Sequence, residues 1–172
     1  ILKMIATTLG GSMSSRLFLN LRERNGLCYY VRTGSEQYSD TGYLVTQAGV
    51  PVTKIEQAIK IIVKEYKTIA EELITPAELQ KVKRFITGRL TLSLEGTDDL
   101  ANWYGRQLVL RAQQPNGSRK PLISPQEFLR QVNKVTSADI RRVAKKVFNP
   151  KCLNLAIIGP YQKEAQFRSL LK

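Results

Sequence analysis

Gly10-Gly11-Ser12-Met13-Ser14-Ser15-Arg16-Leu17-Phe18, continuing through Leu21-Arg22-Glu23-Arg24-Asn25-Gly26-Leu27-Cys28-Tyr29-Tyr30-Val31, is the stretch whose reading decides the fold. Ile1 to Leu9 is apolar enough to be the tail of a buried helix, and the glycine pair breaks it. A second helix is expected from about Ser14 to Arg24, with Ser14 or Ser12 as its N-cap and Leu17, Phe18 and Leu21 as its apolar face. Gly26 supplies the stop. Cys28 to Tyr38 then reads as a strand and Gly42 to Val50 as its antiparallel partner, with Ser39-Asp40-Thr41-Gly42 giving turn chemistry between them. The stretch therefore sets Arg22 and Tyr29 seven positions apart across a helix-to-strand turn.

Helices dominate the middle of the chain. Thr53-x-x-Glu56, Thr75-Pro76-x-Glu78 and Ser124-Pro125-x-Glu127 each pair a capping hydroxyl with a glutamate able to reach back, and two of them place proline at the first helical position. Ile55, Ala58, Ile59, Ile62, Tyr66, Ile69, Ala70 and Leu73 follow the three-four spacing of one buried face, which predicts a helix of about five turns along a sheet. Leu79, Val82, Ile86 and Leu90 repeat the pattern. Gly96-Thr97 separates off a further helix carrying Leu100, Trp103, Tyr104 and Leu108, in which Trp103 reads as a core residue. An irregular loop from Gln113 to Leu122 follows. Thr136 or Ser137 then caps a helix to Phe148, ended by Asn149-Pro150. Leu153 to Pro160 is aliphatic and reads as a strand, and a short helix closes the chain. Strands at both ends with a helical block between them predict an α+β fold: an antiparallel or mixed sheet, containing Cys28–Tyr38, Gly42–Val50 and Leu153–Ile158, covered on one face by long helices.

Composition narrows the function. At 172 residues and 42% apolar content the chain can bury a core as a single domain, 1–172. Its longest apolar run is far short of the roughly 20 residues that span a bilayer, so no membrane partner is expected. Cys28 and Cys152 are too few for a disulfide framework or a metal site, and each lies in an expected strand, as an inert core thiol. Net charge is +13, which raises nucleic acid as a possible partner. The basic residues are nevertheless spread over every helix with acids between them, and no aromatics are interleaved as single-strand binders require. Arg141, Arg142, Lys145 and Lys146 cover about 140° of one helix opposite an apolar face, as a solvated surface does. With no histidine, a Ser-His or Cys-His dyad is impossible, and no P-loop or dinucleotide fingerprint is present.

The Gly10–Val31 stretch resembles the C-terminal, metal-free domain of the inverted zinc metallopeptidases, the pitrilysin and insulinase-like family, and most closely its mitochondrial processing peptidase-like branch. Further landmarks occur in the same order: Asp40-Thr41-Gly42, Thr75-Pro76-x-Glu78-Leu79, Val135-Thr136-x-x-Asp139-Ile140 and Ile157-Ile158-Gly159-Pro160. Singly each is weak, but together they cover nearly the whole chain. Cys28 stands where the family usually has alanine. The resemblance also implies that the strand expected before the first helix is missing, so that the chain begins inside the domain and is N-terminally truncated. The family's H-x-x-E-H zinc motif belongs to its N-terminal half and is absent here.

Taken alone, Arg22 complements the C-terminal end of its helix dipole and Tyr29 packs as a half-buried strand residue. The resemblance implies instead that both approach a zinc site across an interdomain cavity and hydrogen-bond substrate carbonyls near the scissile bond. No catalytic residue and no metal ligand is then expected in this chain. Zinc and the general base would come from a catalytic N-terminal domain or a homologous subunit, in a homo- or heterodimer, with a peptide as substrate. Three readings follow: the non-catalytic half of a zinc endopeptidase; a proteolytically inactive scaffold or substrate-recognition subunit of the same family; and, on charge alone, a nucleic-acid-binding domain. A +13 half favours an acidic or neutral peptide over a basic one. Unpaired cysteines and the lack of a visible signal sequence favour an intracellular bacterial or organellar setting.

Overall fold

The buried first helix, α1 (Leu2–Gly10), is the centre of the molecule: every residue from Met4 to Gly10 is buried, and the helix packs on the sheet and on two later helices. Its two internal threonines satisfy their hydroxyls within the helix, Thr7 Oγ1 donating to Lys3 O (2.8 Å) and Thr8 Oγ1 to Met4 O (2.9 Å). Gly10 is required by contact, since a Cβ there would collide with the hydroxyl and backbone nitrogen of Thr33. The computed structural model describes residues 1–38, 40–112 and 121–171. Of the expected loop from Gln113 to Leu122, residues 113–120 lie outside the described residues, as does Ser39 in the expected turn.

The sheet is a hairpin, β1 (Tyr30–Gln37) and β2 (Gly42–Gly49), antiparallel in register from Tyr30↔Gly49 to Gln37↔Gly42. Period-two alternation puts Val31, Thr33 and Ser35 on one face with Ala48, Thr46 and Leu44. That face meets α1, and the pair Thr33–Thr46 (2.9 Å) is joined at Thr46 by the Tyr66 hydroxyl (2.5 Å). Burial pushes the Tyr66 phenol up from its ordinary value, and its ring stacks on Phe148 with centroids 4.2 Å apart.

Helices α2 (Ile55–Glu71), α3 (Pro76–Leu92), α4 (Thr97–Ala112), α5 (Pro125–Lys134), α6 (Ser137–Val147) and the short α7 (Ala165–Arg168) complete the α+β fold. Thr75 and Ser124 cap α3 and α5 by accepting from Glu78 N (3.2 Å) and Glu127 N (3.1 Å). Among the described residues a full capping box forms only at Thr136, where the Asp139 carboxylate accepts from the Thr136 backbone N–H (3.1 Å). The Thr136 hydroxyl and backbone N–H, with Arg142, hold the Asp139 carboxyl below its ordinary value. Thr53 does not cap α2: Pro51 is followed by a 3-10 turn, Val52–Lys54, which absorbs Thr53 and puts Lys54 at the N-cap of a helix starting at Ile55. Among the described residues no helix is long and apolar enough to cross a membrane.

Four further expectations are corrected. Helix α2 packs mainly on α6 instead of running along the sheet, because the shorter α1, buried from Met4 to Gly10, takes the sheet face first. Leu153 to Ile158 is extended but pairs with no strand among the described residues, so the sheet has two strands and not three. A strand exists only through its partner, and here the aliphatic segment lays Leu153 and Ile157 against the helices while Ile158 is fully exposed. Finally, Cys152 is exposed in a 3-10 turn, Pro150–Cys152, whereas Cys28 is buried just before β1. Trp103 is half-buried and not a core residue; it sits edge-on to Phe128 (5.6 Å) and donates to Ile123 O (2.8 Å).

Candidate functional site

The helix expected from Ser14 to Arg24 is a π-helical turn over Phe18–Glu23, in which Arg24 N donates to Leu19 O (2.9 Å), five residues back. Neither Ser12 nor Ser14 caps it; their hydroxyls face each other, and the buried Ser15 hydroxyl bonds Ser12 O (2.6 Å). Leu17 and Leu21 are fully buried and Phe18 nearly so. The widened turn keeps these three inward while letting polar neighbours reach other helices. Arg16 clamps Glu78 on α3 with both prongs, Nε to Oε1 at 2.8 Å and Nη2 to Oε2 at 2.6 Å, and lies 3.9 Å from Glu65 on α2. Asn20 donates to Glu65 (2.6 Å) and accepts from Arg24 (2.7 Å). The Glu78 hydrogen bond and the charges of Glu78, Glu65 and Glu72 hold the Arg16 guanidinium above its ordinary value against partial burial. A fork of this geometry fixes direction as well as distance.

Arg22 projects from the last turn of this clamped segment. The chain then turns at Gly26, whose φ of +56° is the left-handed conformation glycine adopts without strain. Gly26 N bonds Arg22 O (3.0 Å) and Leu27 N bonds Leu21 O (2.7 Å), so the turn is tight. Leu27 and Cys28 anchor it in the core, and burial raises the Cys28 thiol despite the nearby Arg22 charge. Tyr29 follows, pinned to the hairpin by Tyr29 N to Gly49 O (3.0 Å).

Arg22 and Tyr29 are thereby brought together. The guanidinium carbon lies 6.0 Å from the Tyr29 ring centre and 5.1 Å from that of Phe18. Tyr29 is 84% exposed, which corrects the expectation of a half-buried strand residue: it stands one position before β1, where no neighbouring strand covers it. Neither the Arg22 guanidinium nor the Tyr29 hydroxyl has a hydrogen-bond or carboxylate partner among the described residues, so both sets of donors face solvent. Beside them is an open depression whose lining includes Cys28, Tyr29, Tyr30, Gly49 and Pro51. A planar cation and a phenol held a few ångströms apart, the phenol at the rim of a depression, can donate to a single carbonyl or carboxylate.

The residues present do not fit a metal. Histidine is absent from the sequence, and among the described residues no group of three Cys, Asp or Glu is placed to hold an ion. Sequence reasoning missed the Arg16 clamp. Its signal was available in Glu78, which was assigned to a capping box, a local role that left its distant partner unsought.

The family model for the peptidase M16 inactive domain matches residues 1–86, half of the chain. An uncharacterized zinc protease of Streptomyces coelicolor is 30% identical over 96% of this chain and 34% of its own length. Another, of Bacillus subtilis, is 32% identical over 91% of this chain and 36% of its own. A crystal structure of a protease from Helicobacter pylori superposes with a TM-score of 0.72 at 24% identity, covering 86% of this chain and 34% of that one. The peptidase M16 inactive domain from Pseudomonas fluorescens gives 0.68 at 22%, covering 86% and 34%; these two show a shared fold. The chain spans about a third of the length of the curated relatives it matches. With the model matching from α1 through the clamp and hairpin into α3, the chain belongs to the peptidase M16 inactive-domain family.

Proposed function

We propose that this chain is the substrate-binding, non-catalytic half of a zinc-dependent endopeptidase. The observation that carries the reading is the pairing of Arg22 and Tyr29, exposed, mutually in contact and without a hydrogen-bond or carboxylate partner among the described residues, on a segment that Arg16 and Asn20 tie to two helices. Peptide hydrolysis builds negative charge on the scissile carbonyl oxygen. A guanidinium N–H and a phenol O–H already fixed in direction stabilise that charge by a few kcal/mol more than mobile water does. The ring stacking beneath the guanidinium holds its plane without consuming its N–H donors. Zinc and the general base belong to a partner, either a catalytic N-terminal domain or a homologous subunit, and the relatives' description as zinc proteases supports that assignment.

The test uses the complete enzyme containing this chain. Tyr29→Phe removes one hydroxyl and should lower kcat/KM by about tenfold, and Arg22→Ala by about a hundredfold, with zinc content and Tm unchanged. A Tyr29→Phe enzyme that cleaves at the wild-type rate, or losses traced to unfolding, would return both residues to a structural role. If the adjoining polypeptide carries no H-x-x-E-H, the same surface serves a scaffold or substrate-recognition subunit, and the Tyr29 effect is then read in peptide affinity.

A further inference from the structure

The hairpin has a second face, and nothing among the described residues covers it. The register puts Tyr30, Arg32 and Glu36 of β1 on one side with Gly49, Gln47 and Tyr43 of β2, opposite to the Val31, Thr33 and Thr46 side that meets the helices. Tyr30 and Tyr43 are about half exposed, and Arg32 and Gln47 are exposed. Tyr30 and Gly49 also line the depression next to Tyr29, so the bare face continues the candidate site without a break. A Cβ on Gly49 would run into the Tyr30 ring, which therefore lies flat across the hairpin and leaves the strip beyond it open.

We infer that this bare face receives an acidic side chain of an extended peptide, with Arg32 as the residue that reads it. The inference rests on the proposed role of Arg22 and Tyr29 and adds a substrate class to it. Arg32 has no carboxylate partner among the described residues, nor has Arg22, so both exposed guanidiniums are uncompensated. The one acid on the face, Glu36, is four residues further along β1, about 13 Å at strand rise and beyond the screening length of about 8 Å at physiological salt. Arg32 is two residues from Tyr30, about 7 Å, which is also the spacing of alternate side chains in an extended ligand. A peptide carbonyl held by Arg22 and Tyr29 thus leaves a side chain a few residues away over Arg32. Gln47, directly opposite in the register, offers an amide N–H to the same carboxylate. Charge complementarity selects an acidic peptide: a basic one would bring its cations onto two guanidiniums with no acid between them.

The test is fluorescence anisotropy with three labelled peptides of equal length, differing only in whether the variable positions carry glutamate, glutamine or lysine, at physiological salt. The glutamate peptide should bind about fivefold tighter than the glutamine peptide, as an exposed but geometrically favourable ion pair allows. Arg32→Gln should abolish that ratio, and Arg32→Glu should reverse the order in favour of lysine, both with unchanged Tm because the side chain is on the solvent face. Lys145→Gln with Lys146→Gln removes two charges from the exposed side of α6, in the helix layer, and should leave the ratio intact. A ratio lowered by the α6 pair and untouched by Arg32→Gln would show attraction by net charge alone and overturn the inference. Tyr29→Phe separates the two readings, since it should weaken all three peptides alike. If it weakens none while Arg32→Gln still acts, the carbonyl-binding role fails and acid recognition stands by itself.

Discussion

Helices α1 and α4 are both rich in apolar residues, and they end in opposite circumstances. The last seven residues of α1 are buried, whereas α4, nearly twice as long, buries none and leaves Leu100, Leu108, Val109 and Leu110 between 40% and 58% exposed. The difference lies in neighbours. From Met4 onward helix α1 carries no charge and is enclosed by the hairpin, α3 and α6, so each of these side chains finds a wall. Helix α4 is held by polar ties at its edge: Trp103 and Gln107 to Ile123 O, and Arg111 to Pro121 O. Apolar content therefore measures what a helix offers to bury, and the surrounding elements decide how much is taken.

The largest expected effect tests that contrast directly. Leu9→Ala in α1 should cost about 3–4 kcal/mol in chemical denaturation, the transfer term plus a cavity that three enclosing elements cannot close. Leu108→Ala, in α4, should cost less than about 0.5 kcal/mol, since more than half of its surface is already in water. Equal losses at the two sites would break the comparison.

Next comes the polar counterpart of the same enclosure. Arg16→Ala leaves Glu78 and Glu65 facing each other with most of their side-chain surface withdrawn from water. The expected cost is about 2 kcal/mol, below the figure for fully buried pairs because some exposure remains. Adding Glu78→Gln should restore part of it, which a double-mutant cycle measures. The smallest effects sharpen the comparison at helix ends. Thr75→Ala and Ser124→Ala should each cost about 1 kcal/mol, and Thr53→Ala close to none, because only the first two hydroxyls accept a helix N–H.

Legibility in the sequence followed the range of the interaction. The hairpin was readable from alternation and turn residues, and its observed ends differ from the expected ones by only one or two positions. The starts of α3 and α5 were readable because a capping hydroxyl and a proline act within one turn. The π-helical turn at Phe18–Glu23 was not, since over six residues the positions of Leu17, Phe18 and Leu21 suit an α-helix equally well. The contacts that fix this segment, with Glu65 and Glu78, come from more than 40 residues away. The missing third strand has the same origin: Leu153–Ile158 has the composition of a strand, but strand formation is a property of two segments, and one segment cannot show it. At the site, the family resemblance singled out Arg22 and Tyr29, and the structure brings them together. Arg32 and Gln47 carried no signal, because an exposed arginine in a strand resembles any other until the register shows what lies across from it and what covers the face.

The unpaired segment also has a consequence for how the chain behaves in solution. From Leu153 to Pro160 there is no charged residue, and the backbone groups of Asn154–Ile158 have no backbone hydrogen-bond partner among the described residues. Natural sheet edges are usually protected by a lysine, an inward-facing charge or a bulge, and this stretch has none of these. Its amides will exchange with solvent hydrogen as fast as those of a loop, although its composition is that of a central strand. At high concentration the same groups make it the part of the molecule readiest to zip against another copy of itself.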